Sequence, residues 1–95
     1  MIELSFEWDE KKNQRNIDIH GIDFCDAALI FENPRIESAD NRKDYGELRH
    51  IALGRSQETV LCVVYTWRDK NLIRIISAWK ASKHDRERYH RETNA

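Results

Sequence analysis

Residues 59–66, TVLCVVYT, constrain this chain more than any other stretch. The run is nearly continuous in apolar character and rich in β-branched side chains, which suit extended backbone. A strand with one wet face alternates apolar and polar residues. This run does not, so it reads as a central strand covered on both faces. Residues 72–79, LIRIISAW, form a second mostly apolar strand, and residues 68–71 between the two make a turn. A connection that short implies an antiparallel hairpin.

The remaining segments are read around this hairpin. Residues 2–7, IELSFE, alternate Ile2, Leu4 and Phe6 against Glu3, Ser5 and Glu7, the period of a short strand with one buried face. Asp9 caps a helix that has Lys12 in its first turn and runs to about Ile19. It stops at His20-Gly21, where glycine supplies the left-handed conformation of a helix end. Asp23 caps a second helix carrying Phe24, Ala27, Ala28, Ile30 and Phe31, which ends before Pro34, the only proline. Residues 35–38 make a short strand and the polar residues 40–45, DNRKDY, a loop or turn. Residues 48–53 alternate weakly, and residues 54–57, GRSQ, are expected to form a hairpin turn. Ser82 caps a C-terminal helix to about Arg91, after which the tail TNA frays. The order is β-α-α-β-β-β-β-α. It describes an α+β fold with an antiparallel meander sheet, two N-terminal helices and one C-terminal helix. A chain of 95 residues is expected to form one domain, residues 1–95, with a modest core.

Several function classes are disfavoured. Cys25 and Cys62 stand 37 positions apart, a spacing that fits neither a zinc site nor a redox pair. Both lie in apolar runs, so both are expected to be buried free thiols in a reducing, cytoplasmic compartment. The N-terminus MIELSFEWDE is acidic and has no apolar segment of the kind a signal peptide carries. No run approaches the length of a membrane span, so no membrane association is expected. HExxH, close Cys/His pairs and dense carboxylate clusters are all missing, and no metal or other cofactor is expected. The three glycines are too scattered for a phosphate loop, and Ser77 lacks the glycine elbow of a serine hydrolase. Charge is uneven along the chain. Residues 1–33 hold 3 basic and 8 acidic side chains, and residues 74–95 hold 6 basic and 3 acidic ones. The basic end suits a polyanion, although a solvated amphipathic helix explains it as well.

Two constellations carry chemistry. Trp8, Lys12, Asn16 and His20 recur every four residues and form one helix stripe. In the plainer explanation Trp8 packs, Asn16 bonds backbone and His20 closes the helix end, where the dipole favours it. In the functional one, Lys12 or His20 borders a site. The second set is Glu47, Arg49, Arg68, Arg74, Ser77, Lys80 and Lys83. A buried, unpaired guanidinium at Arg74 would be very costly. Arg74 is therefore expected either to pair with a carboxylate such as Glu47 or to open onto an anion-binding cleft. Glu47 and Arg49 are two apart and face one side of an extended strand. Guanidinium forks on one sheet face suit a phosphodiester, whereas a cross-strand ion-pair cluster explains the same residues without a ligand. RNA carries its own nucleophile, the 2′-OH. Cleavage without a metal needs only a base, an acid for the leaving group and cations for the phosphorane.

The ordered set FEWDEKKNQRNIDIHGIDFCDAALIF, GELRHIALG, CVVYTWRDKNLIRIISAWKAS and ERY resembles the BrnT toxins over almost the whole chain. These are small ribonuclease toxins of type II toxin–antitoxin systems. The resemblance implies a RelE-like fold, metal-independent RNA cleavage that arrests translation, and a BrnA-like ribbon-helix-helix antitoxin. Operator DNA would be reached only through that antitoxin, with which the toxin would repress its own promoter. Carried over by position, His20, Glu47, Arg49, Arg74, Ser77, Lys80 and Glu87 fall in matching motifs. Arg74 and Lys80 would neutralise the phosphate, Glu47 or His20 would act as base, and Lys12 or His20 as acid. Lys12, Arg68, Trp79, Lys83 and Arg86 are the expected RNA contacts. The family pattern RIISARKA has arginine where this chain has Trp79. A tryptophan there packs, stacks on a base, or weakens the toxin by removing a phosphate-binding fork. Two other readings stand beside the toxin. One is an inactive homologue that binds antitoxin and serves as co-repressor. The other is a general nucleic-acid-binding domain whose affinity falls steeply with salt.

Overall fold

A computed structural model describes residues 3–94, so Ile2 of the expected first strand and Ala95 of the tail lie outside the described residues. In chain order the elements are β1 (Ser5–Glu7), α1 (Glu10–His20) and α2 (Phe24–Ala28), the last continued by a 3-10 turn over Leu29–Glu32. There follow β2 (Arg35–Ala39), β3 (His50–Ser56), β4 (Thr59–Asp69), β5 (Leu72–Lys80) and α3 (Lys83–Thr93). The side chains of Asp9, Asp23 and Ser82 accept hydrogen bonds from the first-turn amides of the three α-helices. Gly21 ends α1 at φ +73°.

The strands form one sheet in the order β1-β5-β4-β3-β2. From β2 to β5 it is the expected antiparallel meander. The first strand departs from that expectation. β1 pairs parallel with β5, placing Glu7 opposite Arg74. A parallel pair needs a long connection, and most of the chain lies between these two strands.

The turn between β3 and β4 also differs from the expected one. It is formed by Gln57 and Glu58, with Gln57 at φ +56°, and residues 54–56 continue β3. Gly54 serves packing there. A Cβ on it would lie 2.7 Å from Cβ of Ile30, where the 3-10 turn crosses the sheet.

Residues 60–66 of β4 are buried, as a strand covered on both faces requires. One face carries Ala52, Leu61, Val63, Tyr65, Ile73, Ile75 and Ala78 against Phe24, Ala27 and Ile30. The other carries Leu53, Val60 and Cys62 against Ala81 and Tyr89 at and beyond the start of α3. α1 lies along the outer edge of β5. The Asn16 amide nitrogen donates to Ala78 O at 2.8 Å and to Ile22 O at 2.9 Å, and its oxygen accepts from Ala78 N at 3.1 Å. One side chain thus stands in for the next strand. Cys62 is buried as expected, and burial pushes its thiol up to about 11. Cys25 is exposed, contrary to the expectation, because it points outward from the first turn of α2. Among the described residues no helix is long and apolar enough to cross a membrane.

Candidate functional site

The register of β5 decides which side chains meet. Tyr65 pairs with Ile75 but Val64 pairs with Ser77, which leaves Ile76 as an extra residue. Strict alternation would place Arg74 on one face and Ser77 and Trp79 on the other. The bulge reverses that parity. Arg74 opposite Thr66, Ser77 opposite Val64 and Trp79 opposite Cys62 therefore share the face on which α3 packs. All three are half-buried. His20, at the end of α1, brings its ring to 6.1 Å from the Trp79 ring.

Residues 40–49 fold back over this face. Asp40 N donates to Arg49 O at 2.8 Å, and Thr66 Oγ1 donates to Leu48 O at 2.7 Å. The Asp40 side chain is 0% exposed, and its carboxylate accepts Arg42 Nε at 2.8 Å and Nη2 at 3.0 Å. The Arg42 guanidinium holds the Asp40 carboxyl down at about 2, with a smaller contribution from Tyr45. Anchored in this way, the guanidinium lies over the Trp79 ring, 5.5 Å from its centroid. Arg49 pairs with Glu47 at 2.9 Å, and its guanidinium lies 4.1 Å from the Tyr45 ring centroid. Lys43 approaches the same ring at 5.2 Å. These are cation–π distances.

Arg74 pairs with Glu7 of β1, not with Glu47. The parallel strand pairing supplies this partner, and both side chains stay about one-third exposed, at 31% and 35%. The sequence-derived set therefore divides. His20 meets Trp79, and Arg74 and Ser77 share the Trp79 face of β5, whereas Glu47 and Arg49 pair with each other in the segment leading into β3. Lys80 is not on the Trp79 face. It pairs opposite Leu61 on the other side of the sheet and lines a hollow of about 100 Å³ with Ile22, Asp26 and Ser56, so it cannot share a phosphate with Arg74. Arg68 lines a hollow of about 330 Å³ with Glu47, Leu48, His50, Thr66 and Trp67 at the end of β4. Lys12 is exposed in the first turn of α1, where its charge and that of Arg74 both act on Asp9. Lys83, Arg86 and Glu87 lie exposed along α3, with Arg86 donating to Ala81 O at 3.1 Å.

Sequence reasoning missed Glu7, Asp40, Arg42 and Tyr45. Residues 40–45 have the composition of an ordinary turn, and nothing local marks Asp40 as buried. The result is a sheet face with the Arg42 and Arg74 guanidinium groups, the Trp79 ring and the His20 imidazole, and each guanidinium is paired with a carboxylate. Such a surface can hold a phosphodiester backbone through fork edges the carboxylates leave unused. Among the described residues no three His, Cys, Asp or Glu side chains gather as a metal-binding set.

The model of one protein family, described as "Ribonuclease toxin, BrnT, of type II toxin-antitoxin system", matches residues 8–85. Among solved structures, the chain is similar to the crystal structure of the Brucella abortus ribonuclease toxin BrnT. The two are 24% identical with a TM-score of 0.61, over 87% of this chain and 100% of that one. No curated protein matches.

Proposed function

This chain belongs to the BrnT family of ribonuclease toxins of type II toxin–antitoxin systems, and from that premise we propose that it cleaves RNA on the α3 face of the sheet. The observation that carries this reading is the bulge at Ile76, which sets Arg74, Ser77 and Trp79 on one face beside His20. In this reading the substrate 2′-OH attacks the adjacent phosphorus. Arg74 stabilises the charge that grows on the phosphoryl oxygens. We assign the proton exchange to His20 and Glu47, and no metal takes part in this reading. The products are a 2′,3′-cyclic phosphate and a free 5′-OH. An antitoxin neutralises the toxin. We assign it the ribbon-helix-helix class, reaching operator DNA on behalf of the pair.

The purified chain is expected to cut single-stranded RNA and leave cyclic phosphate ends. Arg74→Ala should lower the rate by roughly 100-fold or more, the effect of removing one transition-state donor. Intact RNA with the wild-type chain, or full activity in a folded Arg74→Ala variant, would defeat the proposal.

A second reading has its own observations. Trp79 cannot provide a phosphate fork, and Arg49 and Arg74 are each paired with a carboxylate. Both facts favour an attenuated toxin, or an inactive one that acts as an antitoxin-binding co-repressor. Induction without antitoxin separates the two. Trp79→Arg should turn weak growth arrest into strong arrest, and no change would remove Trp79 from the explanation.

A further inference from the structure

We propose that Arg42 is a phosphate ligand of the RNA track, presented by Asp40 and supported from beneath by Trp79. The proposal rests on the reading that the α3 face binds RNA, and it adds a residue to which sequence reasoning assigned no role. Three observations carry it. First, Asp40 takes Arg42 side-on, through Nε and Nη2, and is itself fully buried. Side-on pairing leaves the Nη1 hydrogens and one Nη2 hydrogen directed away from the carboxylate. These form the end-on fork that matches two phosphate oxygens. Second, the Arg42 side chain is 56% exposed although its partner is fully buried, so this cation meets solvent while its anchor does not; Tyr45 also lies beside the pair. A buried pair kept for stability alone is matched or bettered by apolar residues, whereas a guanidinium held at the surface in a fixed orientation is suited to a ligand. Third, Arg42 lies over the Trp79 ring on the face shared by Arg74 and Ser77.

This arrangement changes the reading of Trp79. One side of its ring is taken by a guanidinium, so no base stacks there. The indole acts as a pedestal, and a cation from position 42 occupies the space above side chain 79. An arginine substituted at 79 would deliver its own guanidinium into the same region. Arg42 is a binding residue in this account, and Asp40 is the residue that positions it.

The test is fluorescence anisotropy of a labelled single-stranded RNA oligonucleotide, titrated over a range of salt concentrations. Loss of one phosphate contact should lower the slope of log affinity against log salt by about 0.7 in magnitude. Arg42→Ala should show that drop, and Arg42→Gln should show it too while still donating a hydrogen bond to Asp40. If Arg42→Ala fails to fold, Arg42→Gln decides the matter. Adding Trp79→Arg to either variant should restore the slope. A folded charge-removing variant that weakens binding without changing the slope would show a structural role only and overturn the proposal. Binding without cleavage by the wild-type chain, with the slope change present, would sink the ribonuclease reading and uphold Arg42. Cleavage by the wild-type chain with an unchanged slope in the variants would do the reverse. A wild-type chain that binds no RNA would end both.

Discussion

Asp40 stays ionised in a place without solvent because Arg42 gives it two charge-assisted hydrogen bonds, and this sets a pH dependence for folding. Its carboxyl is held at about 2 in the folded chain against an ordinary value of 3.8. A depressed acid stabilises the fold above its unfolded value and loses that contribution as pH falls toward the folded one. Urea unfolding should therefore show stability declining between about pH 4 and pH 2, and Asp40→Asn should flatten that part of the curve. An unchanged profile in Asp40→Asn would mean that the carboxylate is already satisfied in the unfolded chain. Single residues were legible where the reason for their identity is local. Gly21 closes a helix, and Asn16 and Trp8 take the structural places that the plainer reading gave them. Arg74 was legible only as a problem in need of a partner. Its partner stands 67 residues away, so the sequence offered no way to choose Glu7 over Glu47.

Among the elements, α1 and β5 depend on one side chain. Asn16→Ala would leave the N–H and C=O of Ala78 and the C=O of Ile22 without their partner in a buried setting. A loss of about 3 kcal/mol is expected in urea titration. A loss below roughly 0.5 kcal/mol would show that water or a shifted strand replaces the amide. Helix starts were readable from Asp9, Asp23 and Ser82 because capping is a contact between near neighbours. The bulge at Ile76 was not readable, since RIISAW is compatible with either parity and the choice is made by the pairing with β4. Gly54 misled for a similar reason. Glycine often marks a turn, but here it makes room for Ile30, a contact set by how the 3-10 turn crosses the sheet.

At the scale of the whole molecule the two faces of the sheet are unequal. The α2 side holds the larger core, and the α3 side relies on Tyr89 against Leu53, Val60 and Cys62, with the Tyr89 hydroxyl donating to Pro34 O at 2.7 Å. Tyr89→Ala should cost roughly 3 kcal/mol. Its effect on hydrogen exchange should be uneven, with α3 amides losing protection first and those of β4 and β5 holding. Equal loss in α3 and in the central strands would show that the two faces unfold as one unit. The parallel contact between the first strand and the last has a further bearing on how such a chain is made. Glu7 and Asn16 are made well before the segment they grip, from Arg74 to Ala78. An unfinished copy lacks both the edge and the cations on it. Under the proposed reading, the RNA-binding face therefore exists only once β5 has been made and has docked against β1 and α1.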